Sequence, residues 1–149
     1  MSIKTVATNR KAYHDYFISE PMEAGIALTG SEIKSVREGR VSLGDAYVRP
    51  DKGEMWLYNA HIARYKPSSY MGHDPMRPRK LLLHRKEIIN LTGKVAEKGL
   101  TLMATRVYIK GNKAKVEIAL ARGKKLYDKR ETITRRETDR ELARAMKRI

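Results

Sequence analysis

The sequence runs to 149 residues with 32 Lys and Arg against 17 Asp and Glu, a formal charge of +15. Without cysteine it has no disulfide scaffold, thiolate zinc site or cysteine catalysis; without a run of about 18 apolar residues it has no transmembrane helix. One domain with an ordinary core is expected. The surplus charge calls for a polyanion, nucleic acid first and an anionic membrane surface as the rival.

The opening segment, Met1 to Thr8, lacks the apolar stretch of a signal peptide, and a cytosolic location is expected. A first strand is expected near residues 14–20, with Gly25–Thr29 as its continuation beyond Pro21. The segment Ser31–Glu38 reads as a short helix with Ser31 as its cap, Ile33 and Val36 three apart, and Gly39 as its stop. Ala46–Arg49 and Met55–Ile62 flank Asp51-Lys-Gly-Glu54 and read as a hairpin. Ile88, Leu91 and Val95 give a helix over 84–98, ended by Gly99. Leu102–Ile109, a Gly111-Asn112 turn and the alternating Lys115–Leu120 form the clearest hairpin of the chain.

Several short antiparallel strands and two or three short helices define a mainly β chain, an OB-fold-like antiparallel barrel with a basic C-terminal tail. The alternative is an open α+β sheet of the RRM kind, disfavoured because no aromatic RNP-like run occurs. Residues 1–126 are expected to form the body, and 127–149 a tail, disordered or loosely helical when free. Residues 1–109 carry a surplus of +7 and residues 110–149 a surplus of +8. Within the tail, Leu142, Met146 and Ile149 fall at i, i+4 and i+7 among basic residues, an amphipathic helix if formed.

Residues 63–80 form an aperiodic stretch with Pro67, Pro75 and Pro78 and with Arg64, Lys66, Arg77, Arg79 and Lys80 against Asp74 alone. A loop of this length is either a nucleic-acid contact or a solvated excursion. Tyr13, Tyr16 and Phe17 beside Arg10, Lys11 and His14 are aromatics among cations, a pattern that stacks on unpaired bases. Phe17 itself reads better as a core residue. Leu81-Leu-Leu83 reads as a buried strand in which one leucine is free to face a partner. The four histidines lie too far apart in the chain for a helical metal pair. No nucleophile elbow, phosphate loop or His-Glu-x-x-His helix occurs. Glu20 and Glu23 read as charge partners of nearby cations. Neither an enzyme nor a cofactor is expected.

Several blocks in order resemble the SsrA-binding protein (small protein B, SmpB) family. They are Asn9-Arg-Lys, His14-Asp-Tyr-Phe-Ile18, Glu23 through Ser35, Asp74-Pro, Arg79-Lys-Leu-Leu-Leu83, Lys115-Val-Glu-Ile118 and Gly123 through Arg130. The resemblance implies an OB-type barrel that binds the tRNA-like domain of transfer-messenger RNA around its elbow and D-loop. It implies delivery of that RNA to ribosomes stalled without a stop codon, the tail occupying the decoding centre and empty mRNA channel. Elongation factor Tu and alanyl-tRNA synthetase are expected associates through the RNA, and no membrane partner is expected.

Carried over by position, the resemblance implies RNA binding for Asn9, His14, Tyr16, Glu23, Lys80 and Leu82. It implies decoding-centre and channel contacts for Gly123, Lys124, Lys125, Asp128, Lys129, Arg130, Met146 and Lys147. Glu23 is unusual for an RNA contact on charge alone; it is expected either to accept from a base or a 2′-OH, or to orient a neighbouring cation. Tyr13 and His84 depart from the residues common at their positions in the family.

Overall fold

The computed structural model describes residues 2–65 and 73–123. Their elements are β1 (Ile3–Thr8), α1 (Arg10–Asp15), β2 (Tyr16–Ile26), α2 (Gly30–Arg37), β3 (Val41–Ser42), β4 (Tyr47–Asp51), β5 (Glu54–Tyr58), β6 (His61–Ile62), β7 (Arg79–Leu82), α3 (Arg85–Lys98), β8 (Thr101–Lys110) and β9 (Lys113–Gly123). The boundary expected at residue 126 and the amphipathic tail both fall outside the described residues.

The main sheet runs β1-β8-β4-β5-β7-β2-β9, and a further β8–β9 pairing closes all of it but β1 into a ring. Every pairing is antiparallel. The result is the expected OB-type barrel. Closure removes the exposed edges an open sheet would leave. Inside it, Val48, Met55, Leu57, Leu81, Leu102, Val116, Ile118 and Leu120 are buried together. Each such side chain contributes roughly 1.5–3 kcal/mol on leaving water. Leu91 of α3 and Val36 of α2 join the same core.

The turns follow from the backbone. Lys52 and Gly53 both take positive φ, 52° and 78°, and join β4 to β5 through a two-residue turn whose twist matches the strands. Asn59 (φ 61°) then ends β5, so the single strand expected over 55–62 divides into β5 and β6. Gly99 closes α3 in the left-handed region, as expected.

Three elements differ from expectation. The helix over 30–37 begins one turn feature earlier: Thr29, not Ser31, is the cap, and Glu32 returns the bond to the Thr29 backbone in a reciprocal box. Residues 14 and 15 belong to α1 rather than to a strand, because Asn9 caps a helical turn that β2 leaves only at Tyr16. And β1, which the sequence pattern did not reveal, pairs along the second half of β8.

Two bulges set which side chains face outward. Between Ser19 and Met22, β2 takes three steps while β9 takes two, and Glu20 adopts a positive φ of 51° beside Pro21. One extra residue reverses the alternation. Tyr16 and Ile18 before the bulge, and Glu23 and Gly25 after it, therefore share the barrel's exterior. In β8 the register shifts at Thr105, so that Arg106 and Tyr108 face outward opposite Glu117 and Lys115.

Candidate nucleic-acid interface

The exterior of β2 and β7 brings three of the six expected RNA-contact residues, Glu23, Lys80 and Leu82, onto one face. Lys80 and Leu82 alternate with the buried Arg79 and Leu81, so both face out. Leu82 pairs with Gly25 of β2, and a Cβ on Gly25 would lie 3.1 Å from that of Leu82. Glycine is what permits this close approach. Glu23 stands two residues before Gly25 on the same face. Leu82 is 54% exposed, Ile89 of α3 is 62% exposed, and both flank a groove of about 1030 Å³ between β7 and α3. Lys52, Lys80 and Arg85 line the same groove against the single carboxylate of Glu54 and give it a net positive rim. Lys80 is held 2.6 Å from Glu54.

Glu23 joins a polar cluster on the exterior of β2, β9 and β8. Its Oε1 accepts from the Tyr108 hydroxyl and, at 3.4 Å, from Lys110 Nζ. The Tyr108 bond, more than Lys110, holds its carboxyl below the usual glutamate range. Burial, and after it the bond to Glu23, pushes the Tyr108 phenol well above an ordinary tyrosine. Arg106 lies 4.5 Å from the Tyr108 ring centre and 3.4 Å from Glu117, whose other oxygen accepts from Thr105 Oγ1 at 2.6 Å. Glu23 and Glu117 are directly opposite each other across β2 and β9, a repulsive pairing that Lys110 and Arg106 offset. The carboxylate thus holds one cation, Lys110, and one phenol, Tyr108. Sequence reasoning missed Arg106, Tyr108 and Lys110. The alternation across the Gly111-Asn112 turn was the available signal, but the Thr105 bulge breaks it.

Asn9, expected as a contact residue, is instead 1% exposed. Its Oδ1 accepts from Ala12 N at 3.0 Å and its Nδ2 donates to Ala104 O at 2.9 Å. Its backbone N–H reaches Thr105 O at 2.7 Å. One side chain therefore caps α1 and ties it to the bulge that turns Arg106 outward. Its polar atoms are occupied inside the fold, and any influence on a ligand passes through the elements it holds.

His14 ends α1, largely exposed, with Nδ1 2.8 Å from Asp15. Tyr16 packs on the small cluster of Ala12, Met103 and Ala121 beneath α1 and lies opposite Gly123 at the end of β9. Phe17 corrects its core assignment: it is 42% exposed opposite Arg122, since Tyr16 and Ile18 occupy the side that α1 covers. Tyr13 is exposed on α1, and exposed His84 precedes α3 with its backbone N–H donating to Glu87. Glu20 pairs with Lys94. Among the tail candidates only Gly123 is described; Lys124, Lys125, Asp128, Lys129, Arg130, Met146 and Lys147 lie outside the described residues.

The basic loop is used differently from the expectation. Arg79 is fully buried, its Nε 2.7 Å from Glu32 Oε2 and its Nη1 donating to Ala60 O and Pro75 O. Arg77 reaches Glu32 Oε1 at 2.6 Å. Burial alone would raise the Glu32 carboxyl, but the bonds from Arg77, the Thr29 backbone and Arg79 outweigh it and lower it to about 2. His73 bridges Ser31 Oγ and Ile62 O at 2.9 and 2.8 Å. The described ends of the loop are thus anchored to α2 and β6, and two of its cations serve that anchor.

Among the described residues no group of three or more His, Asp or Glu side chains is placed to hold a metal ion, and no helix is long and apolar enough to cross a membrane. A closed barrel whose exterior joins a cation-rimmed apolar groove to a carboxylate-organised arginine and lysine cluster defines a nucleic-acid-binding protein of the OB class. Comparison with known proteins narrows the class. The SmpB protein family model matches residues 6–148. An SsrA-binding protein of Dehalococcoides mccartyi (strain ATCC BAA-2100 / JCM 16839 / KCTC 5957 / BAV1) is 62% identical over 96% of this chain and 83% of its own. One from Sulfurihydrogenibium sp. (strain YO3AOP1) is 59% identical over 99% and 97%. A solved structure described as "tmRNA-SmpB: a journey to the center of the bacterial ribosome" superposes with a TM-score of 0.67 at 50% identity, covering 78% of this chain and 82% of that one. The chain belongs to the SmpB family.

Proposed function

We propose that this chain is a non-enzymatic adaptor that binds the tRNA-like domain of transfer-messenger RNA and delivers it to stalled bacterial ribosomes for trans-translation. The observation that carries the reading is the exterior face on which Glu23, Lys80 and Leu82 stand, with Tyr16 further along β2 against α1, in a chain matched by the SmpB family model from residue 6 to 148. On this reading the groove beside Leu82 takes the apolar faces of RNA nucleotides, Lys80 meets phosphate, and Glu23 holds Lys110 and Tyr108 in place. His14 stacks on a base from the exposed end of α1.

The segment from Gly123 onward supplies the second address. Lys124, Lys125, Asp128, Lys129 and Arg130, with Met146 and Lys147 further on, occupy the decoding centre and mRNA channel. Residues 110–149 carry a surplus of +8, suited to a channel walled by RNA. Residues 1–126 then act as the body and 127–149 as the tail. Elongation factor Tu and alanyl-tRNA synthetase are associates through the RNA, and the place of work is the cytoplasm, where ribosomes are.

A competition assay tests the reading. Transfer-messenger RNA should displace an unstructured oligonucleotide of similar length from the full chain, with affinity falling linearly in log salt. Equal affinity for the two RNAs would make the chain a general single-strand binder instead.

A further inference from the structure

The exterior face does not stop at Lys80. In the ring, Trp56 of β5 is paired on one side with Lys80 of β7 and on the other with Arg49 of β4. Val48, Met55, Leu57 and Leu81 on the alternate positions are buried, so Arg49, Trp56 and Lys80 all point outward in one row across three strands. With neighbouring strands about 4.8 Å apart, the backbone positions of Arg49 and Lys80 lie about 10 Å apart with that of Trp56 between them, and Lys80 is ion-paired with Glu54 at 2.6 Å. The next row is Tyr47 opposite Tyr58, their rings stacked at 5.4 Å and 19°. Trp56, Tyr47 and Tyr58 are all partly accessible and Arg49 is exposed. Among the described residues no side-chain hydrogen bond or ion pair holds the Arg49 guanidinium.

We infer that Arg49, Trp56 and the Tyr47–Tyr58 pair form a second stretch of the RNA footprint, on which an unpaired loop nucleotide of the bound transfer-messenger RNA stacks against the Trp56 indole. The inference rests on the RNA-binding reading above and extends it along the barrel. An aromatic ring presents a flat apolar face that every base can meet, and a flanking arginine and lysine supply the phosphate contacts. RNA is the occupant for two reasons. The row ends in cations, which complement a polyanion, and Lys80 belongs both to this row and to the face that carries Glu23 and Leu82. A single RNA lying on that face reaches Trp56 without leaving the surface.

Trp56 is the only tryptophan in the chain, so its emission reports on this row alone. The experiment titrates the full chain with transfer-messenger RNA while following tryptophan emission, and measures binding independently by filter retention. Emission should fall by more than half at saturation. Arg49→Ala should weaken binding about fivefold with the quench retained, and Trp56→Leu about tenfold, whereas Trp56→Phe, which keeps a stacking face, should bind nearly as wild type. RNA retained on the filter with unchanged emission, together with Arg49→Ala at wild-type affinity, would overturn this inference and leave the wider reading standing. No retention of RNA would overturn both. Quenching by anionic phospholipid vesicles but not by RNA would assign the row to a membrane surface and overturn it as well. Because Arg49 is exposed, its variant remains informative even if a Trp56 substitution perturbs the barrel.

Discussion

Two glutamates organise two regions of this barrel by the same chemistry and to different ends. Glu32 is buried where α2, β7 and the end of the basic loop meet, and it takes bonds from Arg77, Arg79 and the Thr29 backbone. Glu23 stands on the exterior and takes bonds from Tyr108 and Lys110. Both carboxyls are lowered, yet only one is sealed from water. A buried charge cluster cannot offer its cations to a ligand, and losing one member strands the others without solvent. An exposed cluster costs little to disturb and leaves its cations available to phosphate. The difference teaches that a basic loop is not a basic contact: Arg79 is committed inward and half-exposed Arg77 is tied to the same buried carboxylate, while Lys80, one residue on from Arg79, faces out.

The largest effect should come from breaking the buried region. Glu32→Ala leaves the Arg79 guanidinium buried without its carboxylate and should cost about 3–5 kcal/mol in denaturant unfolding. Glu32→Gln, which keeps the shape, should lose most of the same amount. A loss below about 1 kcal/mol would mean that the network does not secure the loop.

Acid gives a graded version of the same test. The Glu32 carboxyl sits at about 2 in the fold against an ordinary 4.5. Its folded value is depressed, so its contribution is fully present above pH 4.5 and is lost as pH falls from 4.5 toward 2. Up to roughly 3 kcal/mol should disappear over that window, and the Glu32→Gln variant should show a flatter stability profile there. Identical profiles for the variant and the wild type would refute the assignment.

Asn9 lies between the two regions in character. Asn9→Ala removes a helix cap and leaves the Ala104 carbonyl without its buried donor, which should cost about 1–3 kcal/mol. Because the same side chain braces the Thr105 bulge, RNA affinity should fall along with stability. Loss of affinity with an unchanged melting temperature would instead make Asn9 a direct contact.

Much of the barrel was legible from the sequence. The Gly111-Asn112 turn with alternating Lys115–Leu120 gave β8 and β9, and Ile88, Leu91 and Val95 gave α3. Local chemistry decides those elements. What escaped depends on the assembled fold. The bulges at Glu20 and Thr105 reverse the alternation only because β9 fixes the register of both neighbours. For that reason Phe17 was placed inside and the Arg106–Tyr108 pair was missed. Strand β1 has no buried residue of its own and is stabilised by its pairing with β8. Thr29-x-x-Glu32 was a readable capping box, yet nothing local says that Glu32 would also hold Arg79, 47 residues away. For the site, the pattern of residues supplied basic and aromatic candidates, and the family resemblance selected Glu23 and Leu82 among them. The exposure of Leu82 over Gly25 gives that selection a physical basis.

The central claim is that RNA is held on the exterior of β2 and β7, apart from the groups that hold the fold. The most direct measurement is the affinity of Glu23→Ala for transfer-messenger RNA, taken beside its thermal unfolding. Loss of the group that orients Lys110 and Tyr108 should weaken binding about tenfold, while stability falls by no more than about 1–3 kcal/mol, the cost of leaving the buried Tyr108 hydroxyl without its partner, and the fold is retained. Wild-type affinity in this variant would contradict the account.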